Sequence, residues 1–132
     1  METIKKIWVN GCFDILHRGH IELLQYAKSF GDELIVGIDY DDRVKIAKGP
    51  TRPFNTFSDR KFVLEALSCV DSVIGFASDE ELEKIIEKES PSVMVIGSDW
   101  EGKEVIGQQY AKKLIYFSRI PNYSTTRILE RK

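Results

Sequence analysis

The chain has 132 residues, of which 42% are hydrophobic and 30% charged, with a formal net charge of -2. That is material for one globular domain over residues 1–132, without the basic excess that nucleic acid or an anionic membrane surface selects. No run spans a bilayer, the N-terminus lacks the apolar stretch of a signal peptide, and Cys12 and Cys69 form no CxxC pair, so a cytoplasmic protein with reduced thiols is expected.

Apolar β-branched runs alternate with helical patterns along the chain. Ile4 to Asn10 reads as a strand that stops at Gly11. His20 to Phe30 reads as a helix, with Leu23, Leu24, Ala27 and Phe30 at helical spacing and Gly31-Asp32 as its stop. Leu34 to Asp39 is nearly continuous apolar sequence, as in a strand covered on both faces. Asp41 to Ala47 reads as a short helix, and Lys48 to Pro53 as a loop broken by two prolines and a glycine. Ser58 is placed as an N-cap, with Phe57 and Phe62 stapled across it, and its helix runs to about Ser68. Ser72 to Phe76 reads as a strand. Ser78 with Glu81 fits a capping box, opening a helix to about Lys88. Beyond Pro91 come a strand, Val93 to Gly97, an irregular segment from Ser98 to Gly107, a helix around Gln108 to Lys112, a strand from Leu114 to Phe117 and a last helix from Ser124 to Arg131.

Strand–helix alternation over the whole length predicts an α/β fold, a doubly wound five-stranded parallel sheet with helices on both faces. In such sheets ligands lie beyond the carboxyl ends of the strands, where the strand order reverses. Attention therefore falls on the segments after strands one, two, four and five.

After strand one stands Asn10 to His20, NGCFDILHRGH. Both histidines of the chain, His17 and His20, flank Gly19 at the mouth of a helix. Unpaired N–H groups and a positive dipole end favour phosphate there, glycine lets a polyphosphate approach the backbone, and two imidazoles can stabilise its charge. The competing readings are two polar loop residues or a metal pair, and no third metal ligand has convincing spacing.

HRGH resembles the HxGH signature of the cytidylyltransferase-like nucleotidyltransferases, whose fold is Rossmann-like. Ser124-Thr125-Thr126 resembles that family's second signature, a Ser-Thr-Thr opening a helix near the C-terminus. The resemblance covers essentially all 132 residues. It implies that His17 and His20 are catalytic. It further implies that Gly11, Cys12, Phe13, Gly19, Gly97, Asp99, Arg119, Ser124, Thr125 and Thr126 bind the nucleotide.

The loop Lys48 to Pro53, KGPTRP, looks like that of the heptose 1-phosphate adenylyltransferases. The resemblance makes it a lid bringing cations to a triphosphate, with Lys45, ahead of Lys48, against the α-phosphate; a solvated basic turn is the plainer reading. Arg60 resembles the arginine of the family's helix start, which faces the acceptor's phosphate. Asp99 to Lys103, DWEGK, looks like a segment of the glycerol-3-phosphate cytidylyltransferases, and Arg119 has their spacing to Ser124. Trp100 either stacks on base or sugar or covers the sheet end. By the same resemblance Asp14 is either structural or near the acceptor, and Asp39 joins the expected acceptor side, although Asp39, Asp41 and Asp42 also read as a metal cluster or as helix caps. Cys12 stands where the glycerol-phosphate group has threonine, and reads as a small packed residue rather than a nucleophile.

The expected reaction is transfer of a nucleoside monophosphate from an NTP, with Mg2+, to a sugar 1-phosphate, heptose 1-phosphate first. The alternatives are formation of CDP-glycerol and a non-catalytic nucleotide-binding module. A homodimer is implied by the resemblance alone. A receiver domain would need clustered aspartates after strand one, and a dinucleotide-binding redox domain would need GxGxxG there; Gly11 and Gly19 are spaced wrongly for it.

Overall fold

In the computed structural model, which describes residues 3–98 and 101–118, the strands are β1 (Lys6–Gly11), β2 (Glu33–Asp39), β3 (Ser72–Phe76), β4 (Val93–Gly97) and β5 (Lys113–Phe117). They form one parallel sheet in the order β3-β2-β1-β4-β5. Four helices connect them: α1 (Arg18–Lys28), α2 (Asp41–Lys48), α3 (Phe57–Glu65) and α4 (Asp79–Glu89). The order runs outward from β1 to β3, then returns to the other side of β1 for β4 and β5. That reversal makes the fold doubly wound.

Side-chain alternation along the strands divides the core in two. Ile7 and Val9 of β1, with Leu34, Val36 and Ile38 of β2, pack with Leu24 and Ala27 of α1 and Leu64 of α3. Trp8, Ile35 and Met94 face the other way, with Leu82 and Ile86 of α4 and Val105. Trp8 is fully buried. Its indole lies over Gly37, where a Cβ would come within 2.4 Å of the ring, and its Nε1 donates to Asn10 Oδ1 at 2.9 Å. A side chain at residue 37 would collide with the largest group on that face.

Several element ends differ from the sequence expectation. The first helix starts earlier, at Arg18, because His17 is its N-cap and His20 reaches back to it. The N-cap of α3 is Thr56, whose hydroxyl accepts from Asp59 N–H at 3.3 Å, and not Ser58. Phe57 is already helical and packs on the Tyr40 ring, while Phe62 is 75% exposed, so the two make no staple. Ser78 caps α4 as expected, accepting from Glu81 N–H at 3.1 Å. The Glu81 carboxylate, however, accepts from Ala77 N–H rather than from the cap residue. The helix expected around Gln108 to Lys112 is a single 3₁₀ turn, Gln108–Tyr110. The expected last helix lies outside the described residues.

Candidate active site

β1 occupies the centre of the sheet and its carboxyl end is the switch point. It shares six register pairs with β2 but only two with β4, Ile7 with Val93 and Trp8 with Met94. Above Trp8 the two strands therefore part, and the loop after Gly11 stands at the mouth of the fork.

That loop turns sharply at Phe13, a buried residue with φ 50°. Left-handed backbone is unusual for an aromatic residue and marks a conformation held by its surroundings. The Phe13 ring leans edge-on to His20, with centroids 5.2 Å apart. His17 and His20 stack, their centroids 3.8 Å apart and their planes 22° from parallel. His17 N–H donates to His20 Nδ1 at 3.3 Å. An imidazole that accepts at Nδ1 carries its proton on Nε2, so His20 is set as an Nε2–H donor. α1 has no acidic residue in its first turn, whereas α2, α3 and α4 each carry one or more there. The positive end of α1 is thus left without a local countercharge. Gly19 lies inside this first turn and Gly11 ends β1.

Asp14 is 3% exposed and ties the segment after α2 to the β1–α1 loop. Its carboxylate accepts from Phe54 N–H (2.7 Å), Asn55 N–H (2.8 Å) and Arg52 Nε (3.0 Å), and Asn55 Nδ2 donates to the Asp14 carbonyl. Burial alone would raise the Asp14 pKa; the two backbone donors and Arg52 outweigh it and hold the carboxyl below its ordinary value.

Arg60 is also buried. Its Nε donates to Asn55 O, its Nη1 to Cys12 O and its Nη2 to Asp41 Oδ1, at 3.0, 3.0 and 2.7 Å. Arg60 is thereby a three-way tie among the β1–α1 loop, the segment before α3 and the start of α2. Asp41 accepts from Phe57 N–H as well, capping the first N–H of α3 from another helix. Asp39 pairs with Arg43, which also bonds Asp79 and lies over the Phe76 ring. With Asp14, Asp39 and Asp41 all engaged by arginines, no group of three or more His, Cys, Asp or Glu among the described residues is arranged to hold a metal.

Burial pushes the Cys12 thiol pKa up, against the lowering effect of the nearby Lys48 and Arg60 charges. The thiol therefore stays protonated at neutral pH, as a packed residue should. Lys45 and Lys48 are exposed on α2. Gly97 ends β4 beside the fork. Asp99, Trp100, Arg119, Ser124, Thr125 and Thr126 lie outside the described residues. The structure thus gathers Gly11, Cys12, Phe13, Asp14, His17, Gly19, His20 and Arg60 around one loop. Arg52 and Asn55 join them unforeseen; an arginine before Pro53, in a loop already read as a cation-bearing lid, was the available signal for Arg52.

The model of the family described as cytidylyltransferase-like matches residues 8–131. The bifunctional protein HldE of Helicobacter hepaticus is 45% identical over 98% of the chain, and that of Sulfurimonas denitrificans 46% identical over 96%. The chain spans only about a quarter of the length of these relatives, 27% and 26%. Among solved structures, a lipopolysaccharide core biosynthesis protein from Thermoplasma volcanium superposes with a TM-score of 0.71 at 25% identity, covering 92% of this chain and all of that one. A pantoate-beta-alanine ligase from Francisella tularensis shares the fold, with a TM-score of 0.60 at 20% identity over 92% of this chain and 62% of its own.

Proposed function

As the chain belongs to the cytidylyltransferase-like family, we propose that it is a nucleotidyltransferase that moves AMP from ATP to heptose 1-phosphate and releases pyrophosphate. The likeness to HldE over nearly the whole chain supports this acceptor over glycerol 3-phosphate. The observation that carries the chemistry is the stacked His17–His20 pair at a helix N-terminus lacking acidic residues, at the switch point of the sheet.

The acceptor's phosphate oxygen is already ionised at neutral pH and needs no general base. It attacks the α-phosphorus in line; the new P–O bond forms as the bond to the bridging oxygen of the β-phosphate breaks, and that oxygen's negative charge leaves with pyrophosphate. Catalysis then consists of positioning and of stabilising charge on the phosphoryl oxygens. His20, donating through Nε2, and His17 serve the phosphates over the α1 N-terminus. Gly11, Phe13 and Gly19 shape the backbone beneath them. Lys45 serves as the α-phosphate lysine, with Lys48, also exposed on α2, beside it on the nucleotide side. Asp99, Arg119 and Ser124 to Thr126 complete the nucleotide side on the strength of the sequence signature, and Trp100 the acceptor side. Mg2+ enters as the ATP complex, neutralising the polyphosphate. Pairing of two copies belongs to the same reading and is checked by sedimentation velocity.

The test is pyrophosphate release with Mg2+ for ATP, CTP, GTP and UTP, each against heptose 1-phosphate, glycerol 3-phosphate and other sugar phosphates. Turnover confined to ATP with heptose 1-phosphate is expected. Turnover with CTP and glycerol 3-phosphate instead would replace the acceptor and base, and silence across the panel would sink the reaction.

A further inference from the structure

Two arginines border the Asp14 loop, and their donors are used very differently. Arg60 has hydrogen bonds from Nε, Nη1 and Nη2, all to protein acceptors, and its side chain is fully buried. Arg52 is nearly as enclosed, its side chain 12% exposed, with Nε held by Asp14. Its Nη2 is buried and has no hydrogen-bond partner among the described residues. An unpaired buried donor is destabilising, the more so when charged, and native proteins rarely leave one without a reason.

We infer that Arg52 is a substrate-binding residue whose Nη2 donates to a phosphoryl oxygen, while Arg60, given that task by the sequence, positions the loops instead. The inference rests on the nucleotidyl-transfer reading above, in which both substrates are phosphorylated. Three observations favour it. First, Asp14 is itself 1% exposed at its side chain, and Phe54 N–H and Asn55 N–H fix it, so the guanidinium is clamped from one edge. A planar fork held at Nε presents its Nη donors in a set direction, the geometry that suits phosphate. Second, Asp14 belongs to the loop that carries His17, which puts Arg52 beside the phosphate-binding turn. Third, Asp14 offsets most of the Arg52 charge, so Arg52 contributes a directed hydrogen bond, while the exposed lysines of α2 contribute charge. Arg60 has no such capacity: turning it toward a ligand would strip the Cys12 and Asn55 carbonyls of their donor.

The experiment compares wild type with Arg52→Gln and Arg52→Lys by calorimetric titration of Mg2+–ATP, heptose 1-phosphate and inorganic phosphate, with thermal unfolding of each free protein. Arg52→Lys keeps a cation for Asp14 but loses the fork. Both variants are expected to bind one of the two phosphorylated substrates about tenfold or more weakly, a loss of about 1.4 kcal/mol, with the other changed less than about twofold. Weaker ATP binding places the donor on the nucleotide, and weaker heptose 1-phosphate binding on the acceptor. A lowered unfolding temperature with every dissociation constant unchanged would make Arg52 a structural tie and overturn the proposal, as would equal losses for both substrates. Should neither variant fold, the wild type decides: its Arg52 side-chain N–H resonances must shift on titration with one of the three ligands, and silence overturns the assignment. Binding of ATP and phosphate is read without turnover, so a failed acceptor panel would refute the transfer reaction and leave the Arg52 result separately legible.

Discussion

A histidine ring that accepts a backbone N–H at Nδ1 has its tautomer chosen by the fold, and His20 is held in this way. His17 stands at the N-cap and stacks on it. On the proposed reaction each ring stabilises charge developing on the phosphates, so His17→Ala and His20→Ala should each lower kcat by about 10²–10³ with the fold retained. Steady-state rates beside far-ultraviolet circular dichroism check this; near-normal kcat in both variants would refute the phosphate-stabilising role. Asp14 makes a prediction of the other kind. Its pKa is lowered on folding, so its contribution to stability is complete above the unfolded value of about 3.9 and is lost as pH falls through the folded value. Asp14→Asn should therefore unfold at a lower temperature than wild type near neutrality, and the gap should close below about pH 4. Thermal scans from pH 7 to pH 3 test it, and a gap constant across that range would mean that the carboxylate charge is not what holds the loop.

Among the elements, α3 separates what composition can say from what packing decides. Thr56 and Ser58 are both good N-cap residues two positions apart, and only the path of the preceding segment chooses between them. That path is set from a distance, by Asp14 on Asn55 and Asp41 on Phe57. Thr56→Ala should cost about 1 kcal/mol, whereas Ser58→Ala should stay within about 0.5 kcal/mol. Urea unfolding measures both, and a larger loss at Ser58 would return the cap to where the sequence put it. The strands were legible for the opposite reason. Leu34 to Asp39 can be apolar almost without interruption only where both faces are covered, and β2 is buried from Leu34 through Ile38. The partners of Asp14 and Arg60 were not legible, because the Asp14 carboxylate bonds residues 38 to 41 positions away and Arg60 reaches Asp41 and Cys12, 19 and 48 positions away, and no local pattern announces them.

At the level of the whole molecule, alternating elements with crossovers of one hand were enough to predict a doubly wound sheet and to locate its switch point. The β1–α1 loop and the segment after α2 meet there, tied through Asp14 and Arg60, at the place where a doubly wound topology puts its ligands. Gly37 and Trp8 show how closely the halves are fitted beneath that point, since one absent side chain in β2 makes room for the widest one in β1.

The short seam between β1 and β4 has a mechanical meaning. Three strands form one plate and two form another, and two register pairs near their amino ends are the stitches between them. A body joined in this way bends most readily along the seam, and whatever lies across the open end acts as a cross-brace. Amide exchange should therefore slow at Asn10, Gly11 and Val95 to Gly97 when Mg2+–ATP is bound, while the amides of β2, sewn to its neighbours on both sides, change little. Deuterium uptake with and without the nucleotide would show whether the plates flex as hinged leaves or move as one board.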